Sequence, residues 1–145
     1  MIRQRFPAFL LAVLAVCSPL AAGAQDGQAL VPSANKIANP IAVFSGLDKI
    51  TGRIISFDVY IDETVQFGAL QVTPRVCYSR PSTEAPLTDA FVEVDEITLN
   101  RRVRRIFSGW MFADSPGLHA VDHAVYDIWL KDCSSSSTVA PPESR

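Results

Sequence analysis

Apolar side chains recur at every second position through the middle of this chain. Ile55, Phe57, Val59 and Ile61 alternate with Ser56, Asp58 and Tyr60. A period of two places one set of side chains on one face of an extended backbone, so the stretch reads as a half-buried strand. Asp62-Glu63 closes it. Val65, Phe67, Leu70 and Val72 continue as short extended pieces around Gly68. Pro74 opens a further strand over Arg75–Ser79. Pro81–Asp89 carries two prolines among Ser, Thr and Glu and reads as a loop.

The next two segments, Ala90–Thr98 and Val103–Phe112, have the pattern of a β-hairpin. Their turn falls near Asn100-Arg101, where Asn tolerates a left-handed backbone. With those two residues as the loop, Glu96 faces Arg105 and Phe91 faces Trp110. Each such cross-strand pair contributes roughly 0.2–1 kcal/mol. Gly109 beside Trp110 suggests a bulge or a close backbone approach. Asp114-Ser115-Pro116-Gly117 is a turn signal, and Ala124–Leu130 reads as a closing strand. Six or seven antiparallel strands with few helical signals predict an all-β domain, a small β-sandwich or barrel.

The ends of the chain differ from this middle. Residues 1–24 have the form of a secretory signal peptide. Arg3 and Arg5 start it, Phe9–Val16 is an apolar run, and Ala22-Gly23-Ala24 is a small-residue cleavage site. The run is shorter than the roughly 20 apolar residues that span a bilayer. Cys17 follows Val16, which is bulkier than the residue that precedes a lipid-modified cysteine, so cleavage after Ala24 is favoured over lipid attachment. Residues 25–39 read as a flexible N-terminal arm, 40–133 as the β domain, and 134–145 as a disordered tail of serines, Thr138 and two prolines. No second apolar stretch is long enough to cross a membrane.

Export changes the reading of the cysteines. Of 3 in the chain, one leaves with the leader. Cys77 and Cys133 remain, and an oxidising compartment predicts a structural disulfide between them. Closure of so long a loop is worth roughly 4 kcal/mol on the chain-entropy model. Their spacing is unlike C-x-x-C redox pairs, and two ligands are too few for zinc. The formal charge is −2, and it becomes more negative without Arg3 and Arg5. That balance argues against nucleic acid as a partner.

Several stretches carry a family resemblance. They are Leu47–Arg53, Phe67–Tyr78, Thr83–Pro86, Ala90–Glu93, Phe107–Ala113, Ser115–Leu118, His123–Leu130 and Cys133. Phe107-Ser108-Gly109-Trp110-Met111-Phe112-Ala113 is the most specific. Over residues 41–133 the chain resembles the alphaproteobacterial domain of unknown function 2155 family. The resemblance implies a Gram-negative periplasmic setting. It supplies no established activity, cofactor or catalytic residue. Where that family's pattern has Asn, this chain has His119.

Candidate chemistry is sparse. His119, Asp122 and His123 are the metal candidates, since at this spacing a helix would put them on one face. They follow a Pro-Gly turn and lead into a strand, which favours hydrogen bonding by His123 and an exposed His119. Ser108, Ser115, His123 and Asp127 offer hydrolase side chains without a G-x-S-x-G elbow. Asp58, Glu93, Asp95 and Glu96 offer carboxylates for sugar hydrolysis, although such groups on an acidic domain are usually solvated. Arg101, Arg102, Arg104 and Arg105 form a basic cluster at the hairpin. They suit an anionic surface or acidic partner, or pairing with Glu93, Asp95 and Glu96. Trp110, Met111, Phe112, Tyr126 and Trp129 concentrate aromatic surface. Their ordinary place is the core; exposed, Trp110 and Trp129 would contact sugars or a partner.

The sequence therefore predicts a periplasmic β-domain without cofactor or catalysis. It would bind or support another envelope component through its hairpin face. A carbohydrate-active or hydrolytic enzyme would instead need carboxylates about 5–10 Å apart in an aromatic groove. A small-ligand carrier would need a closed barrel around an apolar cavity.

Overall fold

A computed structural model describes residues 35–140. The leader, residues 25–34 of the arm and 141–145 of the tail lie outside the described residues. The strands are β1 (Ile37–Ala38), β2 (Ile41–Asp48), β3 (Arg53–Tyr60), β4 (Val65–Phe67), β5 (Leu70–Ser79), β6 (Asp89–Ile97), β7 (Val103–Phe112), β8 (Val121–Asp122) and β9 (Tyr126–Ser134). They form two antiparallel sheets. One runs β1-β5-β6-β7, with β4 also on β5; the other runs β3-β2-β9-β8. The all-β expectation holds, with six long strands and three short ones of two or three residues.

The core lies between the sheets. Leu70, Val72, Val92, Val94 and Met111 from one sheet meet Phe44, Val59, Ile128 and Leu130 from the other. Each is removed from water, and burying such a side chain contributes roughly 1.5–3 kcal/mol. The disulfide joins Cys77 on β5 to Cys133 on β9, with their Cα atoms 5.7 Å apart. It joins the two cysteines expected to bond and ties one sheet to the other. Two open sheets over a filled core differ from the closed barrel a carrier would need.

Strand β2 is absent from the alternating pattern for a physical reason. Ile41, Ala42, Phe44, Ser45 and Gly46 are all buried. Side chains on both faces of β2 are buried, and its register on β9 shifts between Val43 and Phe44, so hydrophobicity does not alternate along it. At the other extreme, Ile54 and Ile55 of β3 are exposed, although Val59 farther along is buried. The period of two holds in β3, but only its second half lies over the core.

The β6–β7 hairpin departs from the expected register at its tip. Phe91 does face Trp110. Glu96, however, faces Arg104, and Arg105 faces Asp95, because the register shifts between Val94 and Asp95. The loop has three residues, Leu99–Arg101. Thr98 accepts a backbone bond from Arg101 N–H at 2.8 Å, and Thr98 N–H donates to the Arg102 carbonyl at 2.9 Å. Arg101 takes the left-handed backbone, φ 61°, in place of Asn100. A turn followed by one left-handed residue is the usual three-residue hairpin loop. The bulge then restores the Phe91–Trp110 pairing. It sits opposite Val94 and Asp95, away from Gly109.

Ordered chain also reaches past 40–133. Ile37 and Ala38 pair with Ser79 and Tyr78 on β5. Beyond β9, the Ser137 hydroxyl donates to Asp58, and the Tyr60 hydroxyl donates to the Val139 carbonyl at 2.9 Å. Both flanks find backbone and side-chain partners that composition does not reveal. Among the described residues no helix is long and apolar enough to cross a membrane.

Candidate functional site

Strand register gathers four loops at one end of the sandwich. Ile97 N–H donates to the Ala69 carbonyl, and Lys49 N–H donates to the Val125 carbonyl, each at 2.8 Å. His123 Nε2 lies 3.2 Å from Glu96 Oε1. The Lys49 ammonium donates to Asp122 at 2.6 Å and to the His123 carbonyl at 2.8 Å. These contacts bring the β2–β3 turn, the β4–β5 turn, the β6–β7 tip and the 122–126 segment together.

The β2–β3 turn is built by its own residues. Asp48 Oδ1 accepts from the backbone of Ile50 at 2.9 Å and of Thr51 at 3.2 Å. The Thr51 backbone bond is the main reason the Asp48 carboxyl sits below its ordinary pKa. Gly52 supplies the positive φ, 70°, that completes the turn. Its apex, Ile50, is 79% exposed. The β6–β7 tip repeats the arrangement: Leu99 at its apex is fully exposed, and Val103 at its base is 62% exposed.

Between these tips runs a line of rings. Phe44, Phe57 and Phe67 stack in sequence at 5.8 and 5.5 Å, Tyr126 meets Phe67 edge-on at 5.5 Å, and His123 stacks on Tyr126 at 5.8 Å. Two glycines admit the rings. A Cβ on Gly46 would lie 2.7 Å from the Phe67 ring, and one on Gly68 would collide with Tyr126. Asp48, Thr51, Arg53, Ile55, Phe67 and Tyr126 border an open cleft of about 350 Å³ there.

Charge at this end has a clear division. The carboxylates have basic partners: Glu96 bonds Arg104 at 2.6 Å and His123, and Asp122, itself exposed, shares Lys49 with Asp127. The Arg104 bond is the chief cause holding Glu96 below its ordinary pKa, and the Lys49 bond does the same for Asp122. Arg53, Arg101 and Arg102 are exposed, and among the described residues none has a carboxylate within ion-pair distance. The basic cluster thus separates. Arg104 and Arg105 pair with Glu96, Asp95 and Glu93, while Arg101 and Arg102 face solvent.

The other candidates are dispersed. His119 Nδ1 lies 3.0 Å from the Trp110 carbonyl, Asp122 is with Lys49, and His123 is with Glu96. No helix forms over 119–123, so nothing places the three on one face. Among the described residues no three His, Cys, Asp or Glu side chains group as metal ligands. For the hydrolase set, Ser115 bonds Asp114, His123 bonds Glu96, and Asp127 pairs with Lys49. Of the carboxylates, Asp58 holds Ser137, and Glu93 bridges Arg75 and Arg105. The Arg75 bond keeps the Glu93 carboxyl below its ordinary pKa.

Trp110 lies outside the core. Met111 takes the inward position, and Trp110 is 38% exposed on the outer face of its sheet. It meets Phe91 edge-on at 5.6 Å and stacks on Tyr78 at 6.3 Å. Lys36 lies over both rings, 5.1 Å from Tyr78 and 5.3 Å from Trp110, in cation–π geometry. Trp129 is half-buried opposite Ser45.

Residues 42–133 match the family described as "Uncharacterized protein conserved in bacteria (DUF2155)". The chain belongs to that family. The DUF2155 match contains all four loops of the clustered end. An uncharacterized protein of Rickettsia prowazekii (strain Madrid E) is 24% identical over 87 residues, 60% of this chain and 56% of the relative. The chain thus matches little more than half of that relative's length. No solved structure shows significant similarity to it.

Sequence reasoning reached the arginines and missed Ile50, Arg53 and Leu99. A signal for two of them exists. Turn positions are ordinarily polar or glycine, so an aliphatic residue inside Asp48–Gly52, or next to Asn100, is out of place by the local rule.

Proposed function

We propose that this DUF2155 chain is an exported binding module of the bacterial envelope, working by contact at its loop end. The observation that carries this reading is the pairing of two exposed aliphatic tips, Ile50 and Leu99, with Arg53, Arg101 and Arg102 at their bases. Exposed aliphatic residues at a turn do not help the fold, and their place beside available cations suits a contact. The leader pattern and the disulfide support a periplasmic location. The groups needed for hydrolysis are held by other partners, which leaves contact as the better-supported role.

Photo-crosslinking in cells tests the reading. A crosslinker at position 99 or 50 should capture an envelope component, whereas one at position 87, near the buried Asp89 at the other end, should not. Equal capture from position 87 would overturn it.

A further inference from the structure

We propose that the loop end docks on an anionic phospholipid surface. Ile50 and Leu99 enter the headgroup layer, and Arg53, Arg101 and Arg102 lie against lipid phosphates. This rests on the reading of that end as the contact surface and names what it contacts.

The shape of the end favours lipid over protein. A stable protein contact buries about 800 Å² per partner in a complementary patch with a packed centre. Here the most exposed aliphatic side chains stand at two separate turn apices, Ile50 and Leu99, with Val103 and Ile54 on the flanks. Isolated points offer little complementary area. A headgroup layer is fluid and closes around each point, so it needs no matching shape. It accepts apolar side chains to a depth of about 5–10 Å and places guanidinium groups at the phosphate level.

Charge favours an anionic surface. The chain is acidic overall, and a uniformly acidic face would be repelled. At this end Glu96 is paired with Arg104, Asp127 and the exposed Asp122 share Lys49, and Asp48 faces Arg53, so with Arg101 and Arg102 the cations outnumber the carboxylates by one. Arg101 and Arg102 are left to meet phosphates, with Arg53 beside them opposite Asp48. Among the described residues nothing covers Ile50 or Leu99. The described chain enters at Asn35, bonded to Glu84, and Val139 near its exit is bonded by Tyr60. Both places lie at the opposite end, where β1 meets Ser79 and Tyr60 pairs with Ile41.

The turns make the test clean. Leu99 is exposed, and Arg101→Gly keeps the left-handed backbone that position needs. Arg102 serves the turn through its backbone, so Arg102→Ser preserves that bond. The probes are vesicles of equal parts phosphatidylglycerol and phosphatidylcholine, and of phosphatidylcholine alone, each with and without brominated acyl chains. Leu99→Trp and Ile50→Trp are made in the full chain as it is purified from cells. Bromine should quench the added tryptophan at both positions in the anionic vesicles and at neither in phosphatidylcholine. The Arg101→Gly/Arg102→Ser pair should weaken binding about thirtyfold, at roughly fivefold per cation near such a surface, and added salt should weaken it further.

Quenching is scored as the excess over the chain without the added tryptophan, in which Trp110 and Trp129 report binding by other faces, so membrane binding by another segment does not mimic it. Absence of quenching at position 99 while the chain sediments with vesicles overturns the proposal. So does equal quenching in both vesicle types. If position 99 crosslinks one envelope protein and shows no quenching, the binding-module reading stands and the lipid proposal falls. If neither capture nor quenching occurs, both fall.

Discussion

The two ends of this sandwich use the same residue types in opposite ways. At the end where the described chain enters, Asp89 is buried and holds Lys36 at 2.6 Å and Arg80 at 3.4 Å. Lys36 also covers Tyr78 and Trp110, and Cys77–Cys133 lies close by, with Asn39 N–H donating to the Cys77 carbonyl. The cations and aromatic rings there are spent on one another, while Ile37 and Leu87 stay partly exposed. At the loop end Arg53, Arg101 and Arg102 face solvent beside Ile50 and Leu99. Where cations and apolar groups close on each other they stabilise the fold. Where turn geometry holds them apart they remain available to a partner.

The sharpest way to break this contrast is at the disulfide. Replacing Cys77 and Cys133 together by alanine should cost about 4 kcal/mol, because the bridge spans a sequence separation of 56. Urea unfolding of the variant and the oxidised protein measures it. A cost under 1 kcal/mol would mean the stapled end is not where stability concentrates. The next effect is at Asp89. Asp89→Ala leaves Arg80, whose side chain is 10% exposed, without its anion, and should destabilise by about 3 kcal/mol. Asp89→Asn, which retains a hydrogen-bond acceptor, should recover part of that loss in the same assay.

Acid probes the surface carboxylates. Glu93, Glu96 and Asp122 are held below their ordinary pKa by Arg75, Arg104 and Lys49 respectively. Their folded values lie below their unfolded ones, so their contribution is complete above the unfolded values and is lost as pH falls through the folded ones. The melting temperature should be flat from about pH 8 to 5 with respect to these groups and fall below about pH 4. Because all three are solvent-accessible, added salt should shrink the change. A fall already complete by pH 6 would assign it to other groups. The smallest effect is at the tip. Leu99→Ser with Arg102→Ser should move stability by no more than about 0.5 kcal/mol, while weakening capture by a crosslinker at position 50. Loss of stability comparable to that of Asp89→Ala would show that the tip serves the fold after all.

Half-buried strands were legible where one face meets the core and the other meets water. The second half of β3, β6 and β7 are such cases. Strand β2 was not legible, since burial on both faces erases the alternation. The hairpin was legible as a hairpin, and Phe91–Trp110 came out as paired. Its tip was not, because a two-residue and a bulged three-residue loop give the same pairing away from the turn and differ by one residue within it. That single shift decides that Arg104 meets Glu96 and Arg105 meets Asp95. The aromatic run of β7 was readable in period but not in direction. Periodicity puts Trp110 and Phe112 on one face; packing decides that Met111 has the core.

By itself the sequence determined the all-β class, the cysteine pair, the leader pattern and the family to which the middle of the chain belongs. Those follow from local periodicity, composition and short motifs, which need no knowledge of distant contacts. Only the tertiary structure decided which arginines are consumed by carboxylates, which aromatic faces outward, and that Ile50 and Leu99 share an end. These outcomes depend on register and on loops nearly fifty residues apart, and a one-dimensional pattern carries neither.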